Sequence, residues 1–547
     1  MTTPNRTAIL AALATALVAG RFATTATAQV IVEDERLVEA GLALGDRYGQ
    51  SVATSGGRVA VGAPMHAYNG SQSGLAWVYT RDPGGTLVLE DELVSFGLAP
   101  NDEFGTSVAI DGERAVVGAP YVDTLTINEG AAFVFERQPN GSWLQVAVLQ
   151  AGDGTTGDRF GATVAIDGDT IVVGAPDDDP SGLSSAGSAY VFERDGGGNW
   201  NEAAKLVSPS SGATRRFGAH LDLDGDTIAV GQNLKASESG QPQVFLFARN
   251  GGAWPLEDSL ASPDRSTPGS NLFCSDLDLD GDRLLVGDPA TTAGGRALLY
   301  ERQGANWIGV DVIAASALIS KAPVGTTVAL CGDTAVLGGP GSAQKEGRAA
   351  IFLESSFGGW RELASIEPDI RSGIAPDEYA LDLAMDDATI VAGAPRLTPV
   401  ETGIRTGATF VLRRGRLLHG HKKLAVAGGG QQDFLLLAGT TYKQHFHWIV
   451  GSASGTTPGT VISPTLTVPL NVDSYALQTL SLTNSPTIPV SFGILDPDGV
   501  SQRLLNVPFG LNPALAGLTL NHAYLIFAPG SFALVDVSNA VPMTLVP

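Results

Sequence analysis

Asp158-Arg159-Phe160-Gly161-Ala162-Thr163-Val164-Ala165-Ile166-Asp167-Gly168, leading to Val172-Val173-Gly174-Ala175-Pro176, is the stretch whose reading decides the fold. Apolar and small residues alternate through Val164-Ala165-Ile166, as in a strand with one buried face. Asp167-Gly168 supplies a tight hairpin, because Gly accepts positive φ. Thr170-Ile171-Val172-Val173 is β-branched and reads as the returning strand. After a variable loop, Ser188-Ala189-Tyr190-Val191-Phe192-Glu193 reads as a third strand. Asp195-Gly196-Gly197-Gly198 then turns into a fourth, Trp200-Asn201-Glu202-Ala203-Ala204-Lys205-Leu206.

The unit recurs. Asp102-Glu103-Phe104-Gly105 leads to Val116-Val117-Gly118-Ala119-Pro120, and Asp46-Arg47-Tyr48-Gly49 leads to Val61-Gly62-Ala63-Pro64. Weaker copies follow at Phe217-Gly218, Phe273-Cys274, Val324-Gly325 and Tyr379-Ala380. The marker glycines Gly62, Gly118, Gly174, Gly231, Gly287, Gly338 and Gly393 are spaced by 56, 56, 57, 56, 51 and 55 residues. A four-stranded antiparallel unit repeated at this period is the blade of a β-propeller. The fold class expected is therefore all-β: a seven-bladed propeller, followed by a small C-terminal β-sandwich. In the Gly-Ala-Pro element, Gly and Ala allow neighbouring blades to approach and Pro ends the strand. The seventh copy lacks a clear fourth strand after Arg413, whereas Glu35-Arg36-Leu37-Val38 resembles the fourth strand Lys205-Leu206-Val207. Residues 29–40 are expected to close the last blade, which leaves no unpaired edge there.

Composition narrows the function. The chain has 547 residues, with 33 Lys+Arg against 57 Asp+Glu and a formal charge of −24. Such an acidic chain repels phosphate backbones and anionic lipid, so no nucleic-acid partner is expected. Residues 1–28 read as an export signal: Arg6, an apolar run from Ala8 to Gly20, and Ala26-Thr27-Ala28 before Gln29. No later run approaches the ~20 apolar residues of a membrane helix. The expected product is secreted or at the cell surface, monomeric, and without a transmembrane segment. Cys274 and Cys331 fall at opposite ends of inner strands in successive copies. That is too far apart for a disulfide, which needs Cα atoms within ~7 Å.

These copies resemble FG-GAP repeats, the units of the seven-bladed propeller of integrin alpha subunits and of many secreted bacterial proteins. The resemblance covers about residues 30–414 and is most specific in the first three copies. Many members of that family hold calcium in a nine-residue acidic loop between the first two strands. Here the loop is only Asp111-Gly112, Asp167-Gly168, Asp224-Gly225 or Asp280-Gly281, and Asp276 and Asp278 align within a strand. Calcium needs six to eight oxygens, so no metal and no cofactor is expected.

Strand parity puts the first-to-second and third-to-fourth turns on one side of the disc and the longer, variable connections on the other. In integrin-like members the variable side faces the ligand. It comprises Met65 to Ser73, Tyr121 to Glu129, Asp177 to Ala186, Gln232 to Gly240 and Arg396 to Thr406. Candidate ligand-binding residues are Tyr68, Tyr121, Asp123, Asp177, Asp178 and Asp179. No Gly-x-Ser-x-Gly elbow, His-Glu-x-x-His or phosphate loop is present. The expected role is non-catalytic binding or adhesion to an extracellular protein or glycan. The alternative is a secreted hydrolase or lyase of polysaccharide, using carboxylates from three or more blades that meet at the axis. Residues 415–433 read as a linker and 434–547 as the sandwich, in which His445 and His447 would share a strand face.

Overall fold

The computed structural model describes residues 29–547 except 32–34, 83–85, 210–212, 233–242, 262–272, 290–294, 316–321, 342–346, 356–357, 367–377, 388, 400–403, 414–416, 420–422, 426–429, 438–443, 453–459, 464–465, 469–491, 496–499, 508–518, 530, 532–533, 538–540 and 547. The proposed export signal and, apart from Gln232, the loop from Gln232 to Gly240 lie outside the described residues.

The chain forms a seven-bladed propeller of four-stranded sheets. Blade one runs outward from the axis as Ser51–Ser55, Arg58–Ala63, Leu75–Arg81 and Leu87–Leu93. Blade two is Ser107–Asp111, Arg114–Ala119, Ala131–Arg137 and Trp143–Leu149, and blade three is Thr163–Asp167, Thr170–Ala175, Ser188–Arg194 and Trp200–Val207. The inner strands of the next four blades are Phe217–Asp224, Leu277–Asp280, Thr327–Cys331 and Leu383–Met385. Each inner strand neighbours the next, and Leu383–Met385 returns to Ser51–Ser55, so the ring is closed. The compact unit that carries the ring comprises Glu33–Leu353 and Ile366–Leu412.

Glycine explains how the blades fit. A Cβ added at Gly118 would stand 2.0 Å from the carbonyl oxygen of Gly161 in the next blade; at Gly62 and Gly393 the corresponding distances, to Gly105 and Gly49, are 2.1 Å. The Gly of Gly-Ala-Pro is thus the seat for the Phe-Gly carbonyl of the following blade. The Phe turns inward beside it. Phe160 is fully buried and meets Tyr190 and Phe192 edge to face, with centroids 5.4 and 5.9 Å away.

The Asp-Gly turns do more than reverse the chain. Asp111 Oδ2 accepts the amide of Gly168 in the next blade at 2.9 Å, and Asp167 accepts that of Gly225 at 2.6 Å. Asp224 receives Gly281, Asp280 receives Gly332 at 2.5 Å, Ser55 receives Gly112 at 3.1 Å and Asp386 receives Gly57 at 3.3 Å. Side chains of one inner strand therefore satisfy edge amides of the next, which would otherwise be unpaired donors. Cys331 holds the same position in blade six and instead lies 3.5 Å from Asp387 Oδ1.

The seventh sheet is closed by Glu35–Leu37, with Glu35 opposite Val411 and Leu37 opposite Thr409. Glu35 also binds blade one, accepting from Arg81 Nη1 at 3.0 Å and from the Leu87 amide at 2.8 Å. The closing element is shorter than the expected 29–40. Gln29–Ile31 does not join it and pairs with Trp360–Ile366 instead. Three-residue strands carry no signal of which edge they join.

The expected linker 415–433 is not a linker. Leu417–His419 pairs with Gly430–Leu437, and Lys423–Ala425 pairs parallel with Val541–Val546. These strands belong to a three-stranded and a six-stranded sheet that build the C-terminal sandwich. His447 there is fully buried and lies 2.9 Å from Ser501 Oγ. It is a core residue, unlike its half-buried neighbour His445.

Gly118→Val should cost about 3 kcal/mol by urea unfolding, since backbone must move. Gly112→Asn, at φ 54° with open space around it, should cost about 0.5 kcal/mol or less, because Asn tolerates that conformation.

Candidate functional site

The variable face is stitched together by backbone. Each connection leading into a Phe-Gly runs along the preceding blade's second-to-third loop. The amides of Gly157, Arg159 and Phe160 bind the carbonyls of Ile127, Asn128 and Glu129 at 3.0, 3.3 and 2.9 Å. One blade on, Thr214, Arg216 and Phe217 bind Ser184, Ser185 and Ala186 at 2.6, 3.0 and 2.9 Å. The buried Asp before each of the first three Phe/Tyr-Gly pairs locks the turn. Asp46, Asp102 and Asp158 accept the amides of Ala43, Ala99 and Thr155 at 2.6, 2.6 and 2.5 Å. The residue ahead of the Phe or Tyr is left at positive φ: Arg47 58°, Glu103 54°, Arg159 57° and Arg216 52°. This geometry displays a charged side chain at the same place in four successive blades.

Between the loops of blades two, three and four lies a cavity of about 450 Å³ whose lining includes Arg159, Arg216, Asp177 and Asp179. Asp177 braces the two arginines, with Oδ2 3.1 Å from Arg159 Nη1 and Oδ1 3.4 Å from Arg216 Nε. Asp179 Oδ1 accepts the Ser185 amide at 2.6 Å. Arg159 also lies over the Tyr121 ring, 5.1 Å from its centroid. Of the expected residues, Asp177 and Asp179 line this cavity and Tyr121 adjoins Arg159. Asp178 is not part of the cavity lining. It is buried, 2.8 Å from Lys205 Nζ and 3.3 Å from Tyr190 Oη. Such a carboxylate cannot be left unpaired in the interior, so its place is structural. Asp123 holds its own loop by accepting the Asn128 amide at 2.7 Å, and Tyr68 is exposed on blade one. Sequence reading passed over Arg159 and Arg216, although the column of the repeat before Phe-Gly carries the signal.

A second group faces the axis. His220 and Asp222 alternate in the inner strand of blade four, Asp278 lies in that of blade five, and Asp276 and Asp382 stand one position ahead of Leu277–Asp280 and Leu383–Met385. Each carboxylate accepts an amide from the next blade: Asp222 from Leu279 at 2.7 Å, Asp276 from Val328 at 2.9 Å, Asp278 from Leu330 at 2.5 Å and Asp382 from Val52 at 2.7 Å. Burial pushes Asp222 and Asp382 up to about 6. Burial and then the charge of Asp382 push Asp276 up to about 8, and burial and then Asp222 raise Asp278 well above the usual range. Burial, with Arg216 nearby, lowers His220 to about 4, so it is neutral at physiological pH. Among the described residues no group of three His, Cys, Asp or Glu is disposed to hold a metal ion.

These raised values mean that the folded ring retains protons that the unfolded chain would release. Their contribution to stability is present below about pH 4, the ordinary carboxylate range. It is lost as pH rises to about 8. Asp276→Asn keeps an acceptor for the Val328 amide and removes the charge. Urea midpoints measured from pH 5 to 8 should fall less steeply in this variant than in the parent; an unchanged slope would contradict the assignment.

The family model described as FG-GAP repeat matches residues 32–79, 89–135 and 143–192. No curated protein matches the sequence significantly. Among solved structures, one described as the mitotic checkpoint complex aligns at 12% identity and TM-score 0.42, covering 73% of this chain and 97% of its own. The β-propeller domain of the Trilobed protease from Pyrococcus furiosus aligns at 11% and 0.34, covering 66% and 96%. The matched repeats fall within the first three blades of the seven-bladed ring, and over those residues the chain carries FG-GAP repeats.

Proposed function

We propose that this is an exported, non-catalytic binding protein that presents its variable loop face to an extracellular ligand. One observation carries the reading. Among the described residues, every large apolar side chain exposed in a propeller connection lies on that face. Phe96 is 92% exposed, Leu125 91%, Leu44 73% and Ile127 63%, with Tyr68, Leu183 and Ile404 among them. The described hairpin turns of the opposite face have none. Leu125, Ile127 and Leu183 belong to the loops that line the cavity, and exposed apolar groups beside a polar pocket are the makings of an interface. Among the described residues no helix is long and apolar enough to cross a membrane.

A second reading, hydrolysis or lysis of polysaccharide, is favoured by the axial carboxylates, which come from three blades. Against it, each already accepts a neighbouring blade's amide.

The mature chain should bind members of an array of extracellular proteins and glycans, and Leu125→Ser with Ile127→Ser should weaken that binding about tenfold or more while leaving Tm in place. Release of reducing ends from a polysaccharide, abolished by Asp276→Asn, would replace binding by catalysis.

A further inference from the structure

We infer that the cavity between blades two, three and four receives a carboxylate side chain of a polypeptide partner, held between Arg159 and Arg216. The inference rests on the loop-face reading and names its contact chemistry.

The hydrogen-bonding capacity of the cavity is lopsided. Both oxygens of Asp177 face arginines, and one oxygen of Asp179 is taken by the Ser185 amide. The guanidinium groups are the opposite case. Arg159 has one ion pair and a ring beneath it, its side chain remaining 41% exposed, while Arg216 Nε makes no hydrogen bond at its 3.4 Å separation from Asp177. Each guanidinium carries five donors in a fork that fits a carboxylate. Asp177 and the remaining oxygen of Asp179 are too few to engage all ten N–H groups of two guanidiniums, so the cavity has donors left for a further acceptor, and Ser184, Ser185 and Thr156 at its wall can serve the atoms around one.

The same loop that contributes Asn128 to the lining bears exposed Leu125 and Ile127. A polypeptide with an acidic residue among apolar ones engages both features, whereas a sugar acid would leave the apolar tips in water. The chain's charge of −24 repels a partner with a run of acids, so the acidic residue is an isolated one. Backbone bonds from Arg159 and Arg216 to the neighbouring loops fix the main chain, and Asp177 draws both guanidiniums to one place, which lowers the ordering cost of binding.

The test is a displayed library of cyclic heptapeptides with randomised positions, panned on the mature protein. Enriched peptides should share one Asp or Glu flanked by apolar residues. Changing that residue to Asn or Gln should weaken binding about tenfold or more, as should Arg159→Gln and Arg216→Gln singly, with little added in the double variant. Ser184→Glu, which places a carboxylate in the cavity without removing an arginine, should block the same peptides. Enrichment of neutral or basic peptides, no enrichment, insensitivity to the arginine variants, or tighter arginine-dependent binding of glucuronic acid oligosaccharides would each overturn the inference. The loop-face reading fails separately, if binding of array ligands ignores Leu125→Ser and Ile127→Ser.

Discussion

The close approach of the Gly-Ala-Pro glycine of one blade to the backbone of the next, itself a glycine at five of the seven junctions, is the constraint on which the ring depends. The Gly-Ala-Pro glycine of one blade must lie under the Phe-Gly carbonyl of the next, at a distance no side chain permits. That contact sets the spacing of the inner strands, and the spacing lets a side chain of one strand reach the amides of its neighbour. Where the second glycine is absent the arrangement adapts: Cys274 replaces it in blade five, its sulfur 2.4 Å from where a Cβ at Gly231 would stand, and Ala380 replaces it in blade seven, where the carbonyl oxygen lies 3.0 Å from such a Cβ at Gly338.

From this spacing follows a wreath of side-chain-to-amide bonds inside the ring. An inner strand is paired on one side only, and its other edge would face the axis with free donors. Ser and Asp close those donors in blade after blade. In blades four, five and seven carboxylates take this task deeper in the channel, where they also repel one another and hold protons. Their gathering at the axis is thus accounted for by edge protection, whatever else they do.

The two faces of the disc differ for a physical reason. On one, a two-residue turn and a neighbour-bound Asp leave no freedom. On the other, longer loops are fastened at their bases by backbone bonds to the next blade, and their tips are unconstrained. A rigid base with free tips lets charged and apolar side chains gather without loosening the scaffold.

By itself the sequence determined the blade, its number and the pairing within it, because a period of alternation and a recurring turn are local properties repeated seven times. The glycines' packing role was legible for the same reason. The bond from Asp111 to Gly168, the separate destination of Gln29–Ile31, and the strands Leu417–His419 and Lys423–Ala425 became visible only in the tertiary structure. Each depends on which chain segment lies alongside, and very short strands carry too few residues to show a period. The pocket is the clearest case. Arg159, Asp177 and Arg216 come from separate connections and meet only because the ring sets neighbouring blades side by side.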